Sequence, residues 1–176
     1  TAQLGALSTA QLRALTTAEI AALTATQLMH LDDTQLDALA TLSALTTRQL
    51  AVLSTDQVSH LNLPDLRSLR SSQVAALNSD QLIALTTDQI AGMTTAQLRA
   101  VSAANVGLLT TDQIAALTNA GLSNLTTRQI AALTTDQVVA LTTSQITYLT
   151  TQEIAALTGD QKAALSSDQL AALTSL

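Results

Sequence analysis

Two histidines, His30 and His60, and the carboxylates Asp32 and Asp33 are the side chains in this sequence best suited to hold a metal ion. Their spacing fits no ligand set, because the histidines stand 30 positions apart and one carboxylate pair follows only the first. Each histidine is read as a polar residue tolerated beside a packed face. Cysteine is absent, which removes disulfides and thiolate metal sites. No nucleophile–base pair is recognisable, so no catalytic, cofactor-binding or metal-ligating residue is expected, and the chain is not expected to be an enzyme. Asn124-Leu125-Thr126 fits a glycosylation sequon, a match that chance supplies in so threonine-rich a chain.

The remaining polar chemistry recurs every eight residues. Residues 109–141, LTTDQIAALTNAGLSNLTTRQIAALTTDQVVAL, repeat the unit Thr-Thr-Asp-Gln-Ile-Ala-Ala-Leu, whose positions we letter a to h with a at Thr110. Twenty full octads follow this register from Ser8 onward, interrupted by one six-residue unit at 40–45. Position d is glutamine in 15 of the 20, and position a is Ser, Thr, Asn or Asp in all but the unit that begins at Arg70. A column of amides could cap helices and bond turn backbone in adjacent units, or could display a ladder for glycans. Columns of threonine at a and b could order water or ice. Position b wanders through Ala25, Asp33, Leu63, Ala103, Asn119 and Gly159, which argues against a flat ice-binding grid.

The element that positions these columns is a very short helix. Position e is Leu, Ile or Val except at Lys162, and h is Leu except at Met93 and Val101. Residues three apart share a helix face but lie on opposite faces of a strand. Alanine at f and g favours helix as well. One continuous helix is excluded, since an eight-residue period rotates the apolar stripe by about 80° per unit. The chain must break and restart, and the break is the capping box: a side-chain oxygen at a for the d amide N–H, and the d side chain back to the N–H of a. Expected caps include Thr86 with Gln89, Thr110 with Gln113, Thr126 with Gln129, and Thr134 with Gln137. The expected core includes Leu85, Ile90, Leu109, Ile114, Leu117, Ile130, Leu133, Val138 and Leu141. Aspartate at c, as in Asp80, Asp112 and Asp136, suits the positive end of each helix dipole.

Helices this short are marginal alone, so stability must come from stacking e, g and h on neighbouring units. The fold class is therefore an all-α solenoid with one capped helix per octad, read as a single array over 1–176. The alternation Leu50, Val58, Leu66, Val74, Leu82 suggests two octads per coil, with three as the alternative. Thr1 and Leu176 fall mid-unit, so a segment of a longer array is expected. Lys162 in the apolar e column is expected to snorkel or to pull its unit open. Residues 40–77 hold the short unit, Pro64 and Arg70, and are where a bend or epitope would lie.

Composition narrows the partners. The chain is 47% hydrophobic, yet it has one Tyr and no Phe or Trp, so its core is built of small portions. Seven basic and 13 acidic residues give a net charge of −6, and the basic residues are scattered. Nucleic acid is a poor partner for such a surface, and no apolar run is long enough to cross a bilayer.

The unit LTTDQIAALTTDQVVAL resembles the Ala/Leu/Thr/Gln-rich tandem octapeptide repeats of large bacterial surface or secreted, adhesin-like proteins. The resemblance covers almost the whole chain and transfers no functional residue. It implies an extracellular or cell-surface structural rod, spacer or adhesion segment. The alternative is a solenoid that binds a peptide, glycan or partner protein in a groove, for which f varies most (Arg13, Met29, Asp37, Arg67, Ile83, Arg99, Thr147) but without common chemistry. Neighbouring repeats are the expected partners, and no cofactor is expected.

Overall fold

A computed structural model describes residues 7–39 and 41–174. Apart from one 3-10 turn, the regular elements are short α-helices, one per octad, and no strand occurs among the described residues. Each octad is made the same way. In the Thr126 unit, Thr126 is extended (φ −74°, ψ 155°), its hydroxyl oxygen caps the Gln129 N–H, and helix Thr127–Ala132 follows. The Ile130 N–H donates to the Thr126 carbonyl at 3.0 Å, and the Leu133 N–H closes a tight last turn on the Ile130 carbonyl at 3.2 Å. Leu133 is extended again (φ −58°, ψ 140°), and the next cap, Thr134, begins a new helix. Two consecutive extended residues at h and a are thus the link between helices.

The chain divides into two compact units, Thr1–Leu85 and Thr86–Leu176. In each, helices pack closely on the helix three units away. In the first, Thr9–Arg13 packs on Asp33–Asp37, and Thr55–Ser59 on Ser79–Ala84. In the second, Ala103–Val106 packs on Thr127–Ala132, which packs in turn on Thr151–Ala156. The coil therefore holds three octads, and the expected two-octad coil is incorrect. Two helices per coil would require full chain reversal at every link. Helix ends that turn the chain back commonly use a left-handed residue, and no described residue has positive φ. The extended h–a step bends the chain less, and three sides close the coil. The Leu/Val alternation at e that suggested pairs of octads is drift.

The core is the e and h columns plus the d amides. Ile90, Ile114, Ile130, Val138, Leu85, Leu109, Leu117, Leu133 and Leu141 are all buried, as are Gln89, Gln113, Gln129 and Gln137. Position g, expected to share in the stacking, is mostly half-buried or exposed. We expect Leu117→Ala to cost about 2–5 kcal/mol through lost burial and a residual cavity. Thr110→Ala, which removes one cap, should cost about 0.5–2 kcal/mol. Urea melts of both variants check the ranking, and equal effects would contradict an array held by e and h burial.

The six-residue unit keeps a full place in its coil. Leu42–Ala44 forms a 3-10 turn that packs on Thr17–Ala22 and on Leu63–Ser68. A 3-10 turn rises about 2.0 Å per residue against about 1.5 Å for an α-helix, so fewer residues cover the same side. Leu42 and Leu45 stand three apart as e and h, and both are fully buried. What the shortening removes is the cap, since Thr41 makes no side-chain cap bond. Lys162 is half-buried, and its unit retains both the Thr158–Gln161 capping box and the Gln161 amide bonds, so the charge does not open it.

Candidate functional site

The most regular polar structure is the glutamine column, and most of its glutamines work in two places at once. Gln129 Oε1 accepts from the Thr126 N–H at 2.8 Å and from its hydroxyl at 3.0 Å. Its Nε2 donates to the Leu98 and Val101 carbonyls, both at 2.8 Å. Those carbonyls belong to e and h of the unit four places earlier, the C-terminal end of a helix whose last carbonyls lack intrahelical partners. The same pattern joins Gln57 to Leu28 and Leu31, Gln81 to Leu50 and Leu53, Gln137 to Val106 and Leu109, and Gln161 to Ile130 and Leu133. Gln145 and Gln73 reach f and h instead. One side chain starts its own helix and finishes another in the coil beneath. That task needs an acceptor and a donor on one group, which an amide has and a carboxylate lacks.

The remaining expected caps are placed the same way. Thr86, Thr110 and Thr134 accept from the N–H groups of Gln89, Gln113 and Gln137, whose Oε1 atoms accept in return from the N–H groups of the three threonines. At Arg70 the guanidinium offers no acceptor, and only the reciprocal half persists: the Arg70 N–H donates to Gln73 Oε1 at 2.7 Å. The Gln73 N–H turns to the Arg70 carbonyl at 2.9 Å.

The departures at d are informative. Glu19 is exposed and keeps only the acceptor half, and hydrogen bonds from the Thr16 backbone and then its hydroxyl hold the carboxyl below its ordinary range. Glu153 is 3% exposed. It accepts from the Thr150 N–H at 2.7 Å and hydroxyl at 2.8 Å. A cleft of about 290 Å³ opens there, lined by Arg99, Ser123, Thr126, Thr150 and Glu153 among others. The Arg99 guanidinium donates to the Asn124 carbonyl at 3.1 Å, and Asn124, the sequon residue, donates its amide to the Ala120 carbonyl at 2.8 Å.

A second polar group gathers in the first unit. His60 Nδ1 lies 3.5 Å from Asp33 Oδ2 and 3.6 Å from Asp56 Oδ1, and donates to the Asp56 backbone carbonyl at 2.9 Å. Beside it, Asn62 donates to both Asp37 at 3.1 Å and Asp65 at 2.7 Å. The hydrogen bond to the Asp56 carbonyl, and then the Asp33 charge, push the His60 imidazole above its ordinary value. Burial, and then Asp65, push the Asp37 carboxyl up. The sequence places Asp32 and Asp33 next to His30; the structure pairs His60 with Asp33 instead. His30 Nδ1 meets the Thr26 carbonyl at 2.6 Å. The three-octad coil stacks the Asp32 unit against the Ser54 unit, and a two-octad coil conceals that meeting.

The repeated element is thus a helix end, a two-residue link and a capping box, positions g through d. A family model for the ALTTAQ repeat, whose six letters read as those positions, matches residues 1–33, 64–95, 90–119 and 120–151. The chain belongs to the ALTTAQ repeat family. The matched stretches cover more than half of it and leave 34–63 outside, where the short unit and His60 lie. No curated protein matches the sequence. In the ALTTAQ repeat the conspicuous Thr and Gln are backbone partners first: Thr occupies the cap and Gln ties the coil to the one beneath. No helix among the described residues is long and apolar enough to cross a membrane.

Proposed function

We propose that this ALTTAQ segment is a non-catalytic structural spacer within a large surface or secreted adhesin-like protein. The observation that supports this reading is the engagement of the repeat's own polar chemistry. Most of the recurring glutamines are buried and bonded within the array, while the largely exposed f column carries no recurring chemistry. A module whose repeated groups are satisfied internally contributes length and rigidity, and stability in such arrays is a sum of unit and neighbour terms. A groove-binding role is the second reading, favoured by the cleft between Arg99 and Glu153.

Removing one coil, residues 110–133, separates the two. A spacer should fold, shorten in proportion by small-angle scattering, and leave attachment of a displayed domain intact. Loss of binding to a glycan or peptide array by the folded deletion would replace the spacer with the binding module.

A further inference from the structure

We propose that Asp33, Asp56 and His60 form a binding site for a divalent transition-metal ion of the zinc class, joining two successive coils of the Thr1–Leu85 unit. The three can each offer one ligand atom, and these atoms all lie within 4.8 Å of one another. A tetrahedral ion bound at about 2.1 Å holds its ligands about 3.4 Å apart. His60 Nδ1 stands at 3.5 Å from Asp33 Oδ2 and 3.6 Å from Asp56 Oδ1. Those two edges are already near coordination length, and the exposed carboxylates close the third by side-chain rotation.

The imidazole selects the ion. Calcium and magnesium prefer oxygen ligands throughout, whereas a nitrogen with two carboxylate oxygens suits a borderline transition ion, with a fourth position for water. Local charge favours a dication, because Asp37 adds a further carboxyl group near enough to act on His60 and Asp33. The Nδ1 proton, which the imidazole donates to the Asp56 carbonyl at 2.9 Å, leaves to solvent, and the ring rotates so that the freed Nδ1 lone pair faces the ion. That exchange strands nothing: the Asp56 carbonyl keeps the His60 N–H at 3.1 Å and the Ser59 hydroxyl at 2.8 Å as donors. Asp33 belongs to the Asp32 unit, and Asp56 and His60 to the Ser54 unit, so the bound ion ties helices that are not neighbours in sequence.

Protons compete for the same nitrogen. Binding should therefore weaken on acidification, since a metal-ligating imidazole nitrogen must be free of its proton.

Calorimetric titration of the full chain with zinc chloride tests the proposal, with His30→Gln as the control for a lone surface imidazole. One ion per chain is expected, with affinity reduced by at least about tenfold in His60→Gln and in Asp33→Asn and retained in His30→Gln. Acidification to about pH 5 should abolish it. Chemical-shift mapping on the unsubstituted chain gives an answer independent of how the variants fold: zinc should move the signals of Asp33, Asp56 and His60 first. Absence of saturable binding, titration of His60→Gln like the unsubstituted chain, or shifts centred on His30 would overturn the site.

Discussion

Replacing Gln129 with leucine is expected to destabilise the Thr86–Leu176 unit by about 1–4 kcal/mol, the cost of one buried and one half-buried backbone group left unpaired, the buried one at about 1–3 kcal/mol and the other at less. Leucine fills similar volume, so little cavity forms. The cost comes from two helix ends at once. The Thr126 N–H loses its acceptor, and the Val101 carbonyl loses its donor at 2.8 Å. Leu98 suffers less, because its carbonyl still accepts the Val101 N–H at 3.2 Å.

Gln129→Glu dissects the two halves. The carboxylate still accepts from Thr126 but faces the Leu98 and Val101 carbonyl oxygens with no proton to share. Its folded pKa should therefore rise above the ordinary glutamate value of about 4.3. A raised folded pKa means that the folded state binds more protons. The deficit is then present in full above that folded value and is recovered as pH falls toward the unfolded value. Thermal melts from pH 7 down to about 4 should show Gln129→Glu gaining stability relative to Gln129→Leu. Parallel pH profiles for the two variants would contradict the donor role of Nε2.

The second large effect concerns chain length. Deleting residues 110–113 should destabilise the same unit by more than about 5 kcal/mol, combining lost burial at about 2–5 kcal/mol with lost amide bonds. Four residues can cover a coil side only if fully extended, and extension points Ile114 and Leu117 to opposite faces. Deleting 110–111 should be milder, since the unit at 40–45 covers its side with six residues in a 3-10 turn and still buries Leu42 and Leu45. Deleting a complete coil should be mildest, because every link and stacked pair is replaced by an equivalent one. Urea midpoints of the three deletions check the order. Equal loss from two and four residues would mean that unit length, rather than the e–h spacing, sets the limit.

Much of this was legible in sequence because it is local. The three-residue spacing of Ile114 and Leu117 calls for a helix face, and Thr110 with Gln113 spells a capping box within four positions. The number of octads in a coil was not legible, since identical units carry no mark of which ones stack. It depends on how far the two extended residues at h and a turn the chain, a matter of backbone angle rather than pattern. Everything that needed that number stayed hidden with it. The glutamine acceptor half was readable, but its donor half reaches 28 and 31 residues back. A glutamate such as Glu153 satisfies the local capping box as well as glutamine does, and only the stacked coils show that the glutamines at d also donate. His60 looked solitary until the coil brought Asp33 beside it.

Three octads make a coil, and the buried glutamines with their amide bonds join it to the coil beneath. Through-hydrogen-bond couplings from the Gln129 side-chain amide nitrogen, in a chain labelled with nitrogen-15 at glutamine and carbon-13 at backbone carbonyls, test that arrangement most directly. Couplings to the Leu98 and Val101 carbonyl carbons are expected, at 2.8 Å donor distances. Couplings from the Gln129 amide to the Val106 and Leu109 carbonyl carbons instead, one octad nearer as a shorter coil requires, would contradict it.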